Sequence, residues 1–240
     1  MNLEDELSKL RVFKKNSVYR IGDLLLHSGL RWHIDRHEVI FNQKYKNTLL
    51  HKYFHHFKVD QHMWNLNMLR YSSQAASKLS TYNKKNTFSD FKFITNQHQI
   101  TIPESDLLIH IRCGDIVSPK CKAYKNCHLH HADKLIDLIS KKIHSGIKKI
   151  VIIAVMHYGS DSLRLNRYFW TQKKHDTNIK LLNELFTSIS NTFGIPIVVD
   201  SKNCTDLQFI DYQFLKLIHA KNVIFDESGF SKVIEKIRES

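Results

Sequence analysis

From residue 107 onward, apolar and polar positions switch repeatedly between two periods. Leu107 to Ile111 and Ile150 to Val155 are apolar at nearly every position, the pattern of strands buried on both faces of a parallel sheet. Ile179, Leu182, Leu185, Phe186 and Ile189 instead recur at helical spacing and form a core-facing stripe rather than a cofactor box. The pattern predicts strand 107–111, helix 131–144, strand 149–155, helix 176–192, strand 195–199, helix 206–219, strand 222–226 and helix 229–238. Gly194-Ile-Pro196 marks a tight turn between the fourth and fifth of these. Strands alternating with helices predict a parallel sheet covered on both faces.

The first hundred residues are less regular. They suggest a strand near 17–21, a helix over 22–36 and a strand over 38–42, followed by a stretch over 44–100 rich in Asn, Gln, His, Lys and aromatic residues. Polar clusters around Ser80 to Asn86 and Thr95 to Gln99 could carry a crossover between domains. The chain therefore divides into an N-terminal α/β unit over 1–100 and a C-terminal α/β unit over 101–240.

Composition narrows the class without choosing a function. A chain of 240 residues, 42% hydrophobic with 7 Gly and 3 Pro, can bury a large core and has little material for long flexible linkers. The net charge of +13 would attract nucleic acid, an anionic membrane surface or a sugar nucleotide alike. Its cations are scattered in short groups such as Lys14-Lys15, Lys84-Lys85, Lys141-Lys142 and Lys173-Lys174. No nucleic-acid recognition motif gathers them, so they read as solvated faces, with membrane-surface attraction a secondary effect. The four cysteines form no disulfide framework, no apolar leader opens the chain and no stretch reaches transmembrane length. A cytoplasmic protein is expected, with peripheral contact at the inner face of the membrane as a further expectation.

Candidate chemistry begins where the first apolar run ends, at His110-Ile-Arg112-Cys-Gly114-Asp115. Open α/β sheets bind ligands beyond the carboxyl ends of their strands. A guanidinium there offers fixed donors for a pair of phosphate oxygens, and a carboxylate can orient it or accept a bond from a sugar hydroxyl. The same residues also fit a core strand followed by a surface ion pair.

This segment resembles the His-x-Arg-Arg-x-Asp motif of the α1,2- and α1,6-fucosyltransferases, which lies in their GDP-fucose site. Arg112 matches the first arginine, which contacts the donor pyrophosphate, whereas Cys113 stands where the second is usual. A second point of resemblance follows the helix read over Thr205 to His219 and the strand from Asn222 to Phe225. Glu227-Ser228-Gly229-Phe230-Ser231 is similar to the Ser-Ser-Phe-Ser turn that opens the last helix in those enzymes. Phosphates bind readily at such helix N-termini, although Ser228 also reads as an ordinary N-cap. In Val155-Met-His157-Tyr-Gly-Ser160-Asp161, His157 and Asp161 could bond donor hydroxyls or simply end a strand. Gly22-Asp23 before a Leu run resembles the opening turn of heptosyltransferases, and would be on the acceptor side.

The resemblance implies a GT-B-like α/β fold of two Rossmann-type units, the N-terminal one reduced. It also implies a metal-independent inverting transfer of a sugar, fucose from GDP-fucose first, to an oligosaccharide or lipid-linked glycan in surface polysaccharide synthesis. In that scheme no cofactor is needed and there is no specific nucleic-acid partner. Arg112 would stabilise the leaving diphosphate, Asp115 or Asp23 would serve as base, and His110, Gly114, His157, Asp161, Ser228, Gly229, Phe230 and Ser231 would surround the donor. The alternatives are a transferase with another donor, heptosyltransferase-like, and a noncatalytic basic protein that binds polyanions.

Sixteen histidines also raise the question of a metal. Cys121, Cys127, His128, His130 and His131 supply suitable atoms, but the spacing is not that of ordinary zinc sites and a partner pair is missing. Neither the nucleophile elbow of hydrolases nor the Walker phosphate loop is present.

Overall fold

The computed structural model describes residues 3–10, 12–13, 33–35, 49, 52, 63–65, 89, 92–114, 132–158, 170–200, 209–226 and 229–240. Its elements are α1 (Leu3–Ser8), β1 (Val12–Phe13), β2 (His33–Asp35), β3 (Met63–Asn65), β4 (Asp106–Gly114), α2 (Ala132–Lys142), β5 (Lys149–His157), α3 (Gln172–Phe193), β6 (Ile197–Val199), α4 (Phe209–His219), β7 (Asn222–Ile224) and α5 (Gly229–Glu239). Contacts group them into two units. The first comprises Met1–Arg20, Ile102–Ser201 and Ala220–Glu227, and the second comprises Ile21–Thr101, Lys202–His219 and Ser228–Ser240.

The first unit is an α/β structure on an all-parallel sheet. β4 and β5 pair over nine residues, from Asp106↔Lys149 to Gly114↔His157. On its other edge β4 pairs with β7 from Leu107↔Asn222 to Ile109↔Ile224. The edge of β5 away from β4 is shared. β6 takes its amino-terminal part, Ile150↔Ile197 to Ile152↔Val199, and β1 takes Met156 and His157. The strands predicted over 107–111, 149–155, 195–199 and 222–226 are all present, with the first two extended at their carboxyl ends. The short β1 is an addition, because two residues are too few to show any alternation.

One face of this sheet packs into a continuous apolar core. Leu107, Ile109, Ile111 and Cys113 of β4 and Ile150, Ile152, Ala154 and Met156 of β5 meet Leu7 of α1, Leu135 and Ile139 of α2, and the stripe of α3. That stripe is the predicted one: Ile179, Leu182, Leu185, Phe186 and Ile189 are all buried. Each such side chain contributes about 1.5–3 kcal/mol on burial, so α3 is the principal cover of this face. The alternate positions Leu108, His110 and Ile153 are buried as well, as the uninterrupted apolar runs require.

α3 is defined sharply at both ends. The Thr171 hydroxyl accepts the Lys174 N–H at 3.2 Å. Gly194 takes the left-handed conformation, φ 64°, and its N–H donates to Ser190 O at 2.8 Å. The predicted turn at Gly194 is therefore a helix stop that feeds β6.

In the second unit, α4 and α5 pack together. Arg238 of α5 donates from Nη1 to Leu217 O (2.7 Å) and Ile218 O (3.1 Å), satisfying carbonyls left open at the end of α4. The Leu49 N–H donates to the buried Asp211 carboxylate at 2.6 Å, and His219 Nε2 donates to Thr95 O at 3.1 Å. β2 and β3 form an antiparallel pair with Ile34 opposite Trp64. This corrects the helix expected over 22–36 at its last turn. The Leu run suggests a helix, but His33-Ile34-Asp35 alternates polar and apolar positions and finds a partner strand thirty residues on. The strands expected near 17–21 and 38–42 lie outside the described residues. No described helix is long and apolar enough to cross a membrane.

Candidate functional site at the carboxyl ends of β4 and β5

The two ends of the sheet differ in chemistry. At the amino ends, Lys149 Nζ meets Asp106 at 3.0 Å and Lys221 Nζ meets Glu104 at 2.8 Å. These cations lie at the surface, where such pairs contribute little beyond fixing register. At the carboxyl ends the polar groups are buried and joined to one another.

β4 carries most of the expected motif to this end. His110, Arg112 and Gly114 occupy alternate positions and pair with Ile153, Val155 and His157 of β5. The strand stops at Gly114, whose φ of 96° lies in a region that side-chain-bearing residues avoid. His110 is buried, and its Nδ1 lies 3.2 Å from Oδ1 of Asp226, which is also buried and follows β7 by two residues. Asp226 thus ties the exit of β7 to β4.

A second buried chain of polar contacts starts at Gly114. Asn178 of α3 donates from Nδ2 to Gly114 O (3.1 Å) and to the Tyr158 hydroxyl (2.9 Å). The hydroxyl lies 3.3 Å from His175 Nδ1, to which it can donate in turn, and 4.0 Å from Met156 Sδ. Tyr158 and Asn178 are almost wholly buried. Three segments are thereby linked: the end of β4, the residue after β5, and the first two turns of α3.

The structure brings together His110, Arg112, Gly114 and His157 along the ends of neighbouring strands. Gly229, Phe230 and Ser231 belong to the second unit, where Gly229 is the first residue of α5 and Ser231 is fully buried. The helix thus opens at the place in the chain where the serine turn was expected to hand over to it. Gly22, Asp23, Asp115, Asp161 and Ser228 lie outside the described residues, as do Cys121, Cys127, His128, His130 and His131. Of Arg112, His157 and Phe230 the backbone alone is described. Among the described residues, no group of three or more His, Cys, Asp or Glu gathers as a metal site.

Sequence reasoning missed Asp226, Tyr158, His175 and Asn178. Two signals were available. Asn178 is a polar residue at a core-facing position of an otherwise apolar stripe, with His175 three residues before it and Leu182 four after. Asp226 directly follows the apolar run Val223-Ile-Phe225, at the edge of the sheet where ligand chemistry collects.

No family model, curated protein or solved structure matches this chain.

Proposed function

We propose that the protein is a nucleotide-sugar-dependent glycosyltransferase of the fucosyltransferase-like kind, with GDP-fucose the first donor to test. The observation that carries this reading is the place of the resembling segment. Its described part, His110-Ile-Arg112-Cys-Gly114, runs to the carboxyl end of β4, an interior strand of a parallel sheet. That is where α/β folds bind nucleotides. The same reading takes the fold as GT-B-like.

In the proposed reaction an acceptor hydroxyl oxygen attacks the anomeric carbon of the donor. The bond from that carbon to the diphosphate oxygen breaks, and the nucleoside diphosphate leaves with the bonding pair. The hydroxyl proton passes to a carboxylate, with Asp115 and Asp23 as candidates. Arg112 would offset charge growing on the leaving diphosphate, helped by N–H groups at the start of α5 from Gly229 to Ser231. His110, His157, Asp161 and Ser228 would complete the donor site. An oligosaccharide or lipid-linked glycan would be the acceptor, and the +13 net charge would favour contact with an anionic leaflet.

The test is a thermal-shift and turnover panel of GDP-, UDP-, ADP- and CMP-sugars on the wild type and Arg112→Ala. Stabilisation by one nucleotide family that disappears in the variant is the expected result. A shift with ADP-sugars alone would favour the heptosyltransferase-like alternative. No shift with any donor, together with polyanion binding that falls steeply with salt and survives Arg112→Ala, would replace the enzyme by a basic binding protein.

A further inference from the structure

The buried chain from Gly114 through Asn178 to Tyr158 has no part in the transfer chemistry set out above, yet it acts on Gly114, two residues after Arg112. Both Asn178 contacts come from one amide nitrogen, whose two hydrogens are divided between the Gly114 carbonyl and the Tyr158 hydroxyl. An apolar side chain of similar volume would fill the space, but it would leave both oxygens without that donor. A buried acceptor stripped of its partner loses more than the bond itself returns on average. The native arrangement therefore holds the Gly114 peptide in one orientation. Because Gly114 has φ 96°, this peptide sets the direction in which the chain leaves β4.

We propose that Asn178 is a positioning residue. With Tyr158 it fixes the Gly114 peptide and thereby holds the end of β4 that carries Arg112 to the diphosphate of a sugar nucleotide, a role that rests on the transferase reading. Its placement suits that role. Asn178 comes from the helix that covers the sheet, Tyr158 directly follows the neighbouring strand, and the Asn178 amide joins Tyr158 to the last residue of β4. A residue needed only for packing would not require two donors at a position 3% exposed.

The test uses the full chain, GDP as probe, and the variants Asn178→Leu, Tyr158→Phe and Ile189→Val. The last trims the same helix three turns further along and controls for loss of stability. Two quantities are read at a temperature where every variant is folded: hydrogen exchange at residues 112–114 and affinity for GDP. Asn178→Leu is expected to speed exchange there and to weaken GDP about tenfold. Tyr158→Phe should do the same to a smaller degree and keeps the test open if Asn178→Leu does not fold. Ile189→Val should do neither, even at an equal loss of Tm. Combined with Arg112→Ala, Asn178→Leu should weaken GDP little further, because it acts through that arginine.

Unchanged exchange in both Asn178→Leu and Tyr158→Phe would overturn the proposal whatever happens to GDP. GDP binding that depends on Arg112 but not on Asn178 would overturn it while leaving the transferase reading standing. Failure of the wild type to bind GDP or any other nucleotide of the panel would sink the transferase reading and the positioning role with it. Faster exchange would then mark Asn178 as a residue of the fold alone.

Discussion

His110 Nδ1 and Asp226 Oδ1 lie 3.2 Å apart, with their side chains only 5% and 3% exposed. The two come from parallel neighbours, one inside β4 and the other just beyond the three-residue β7. So short a pairing has few backbone bonds of its own, and a hydrogen bond to a buried carboxylate is among the stronger ones available to it. Removing one partner takes a charge-assisted bond from the other in a site closed to water.

Asp226→Ala should therefore destabilise the protein by about 3 kcal/mol in urea unfolding. Asp226→Asn, which keeps the shape and an acceptor, should cost about 1 kcal/mol. Equal losses in the two would show that the carboxylate charge, which both remove, carries the whole effect and that the shape and acceptor kept by asparagine add nothing, and a loss below the error of the measurement in both would remove the pair from the account of β7 altogether.

Cys113 gives the second prediction. The resemblance places a second arginine at this position, but the alternation of β4 turns Cys113 into the apolar core with Ile109 and Ile111, fully buried. Cys113→Arg would force a charge among aliphatic side chains and should cost more than about 4 kcal/mol, with no gain in nucleotide affinity. Cys113→Ala should cost only about 1 kcal/mol. A folded Cys113→Arg protein with tighter GDP binding would mean that this position reaches the ligand.

The contrast between Cys113 and Asn178 shows what the sequence made legible. Runs such as Ile150 to Val155 announce a central strand because both faces must be apolar, and the α3 stripe announces its buried side by period alone. The His110 to Asp115 segment could be placed at a strand end from the same pattern. Partners could not be placed in this way. Asn178 lies 64 residues from Gly114 and Asp226 lies 116 from His110, and only the packing of α3 on the sheet and the pairing of β4 with β7 bring them there. The pairing of β2 with β3 is hidden for a related reason, since three residues of alternation are outweighed by the Leu run before them.

The ends of α3 supply a third prediction. Gly194→Ala places a side chain at φ 64°, where nothing lies within 4 Å of the added methyl group, so the loss comes from the backbone alone. It should amount to about 1 kcal/mol. Thr171→Ala removes the acceptor for the Lys174 N–H and should also cost about 1 kcal/mol. The two sites lie at opposite ends of the helix, so urea midpoints of the double variant should show additive losses. A marked departure from additivity would mean that the helix ends are coupled through the core.

His98 gives the last prediction, one of acid sensitivity. Burial first, then the charges of Lys52 and His219, hold its pKa below the usual 6.5. The geometry agrees, because Lys52 Nζ lies 3.1 Å from His98 Nε2 and can donate to it only while that nitrogen carries no proton. In the unfolded chain the same imidazole takes up a proton near its ordinary value. As pH falls below 6.5 the unfolded state therefore binds more protons than the folded state, and stability drops until the lowered folded value is passed. Above that window this histidine contributes no slope. Urea midpoints between about pH 8 and about pH 5 should fall less steeply in His98→Gln than in the wild type, since glutamine accepts from Lys52 without titrating. Lys52→Met should shrink the acid loss as well, because it removes the second cause of the shift. Parallel curves for the wild type and His98→Gln would refute the assignment and pass the acid sensitivity to other histidines of the chain.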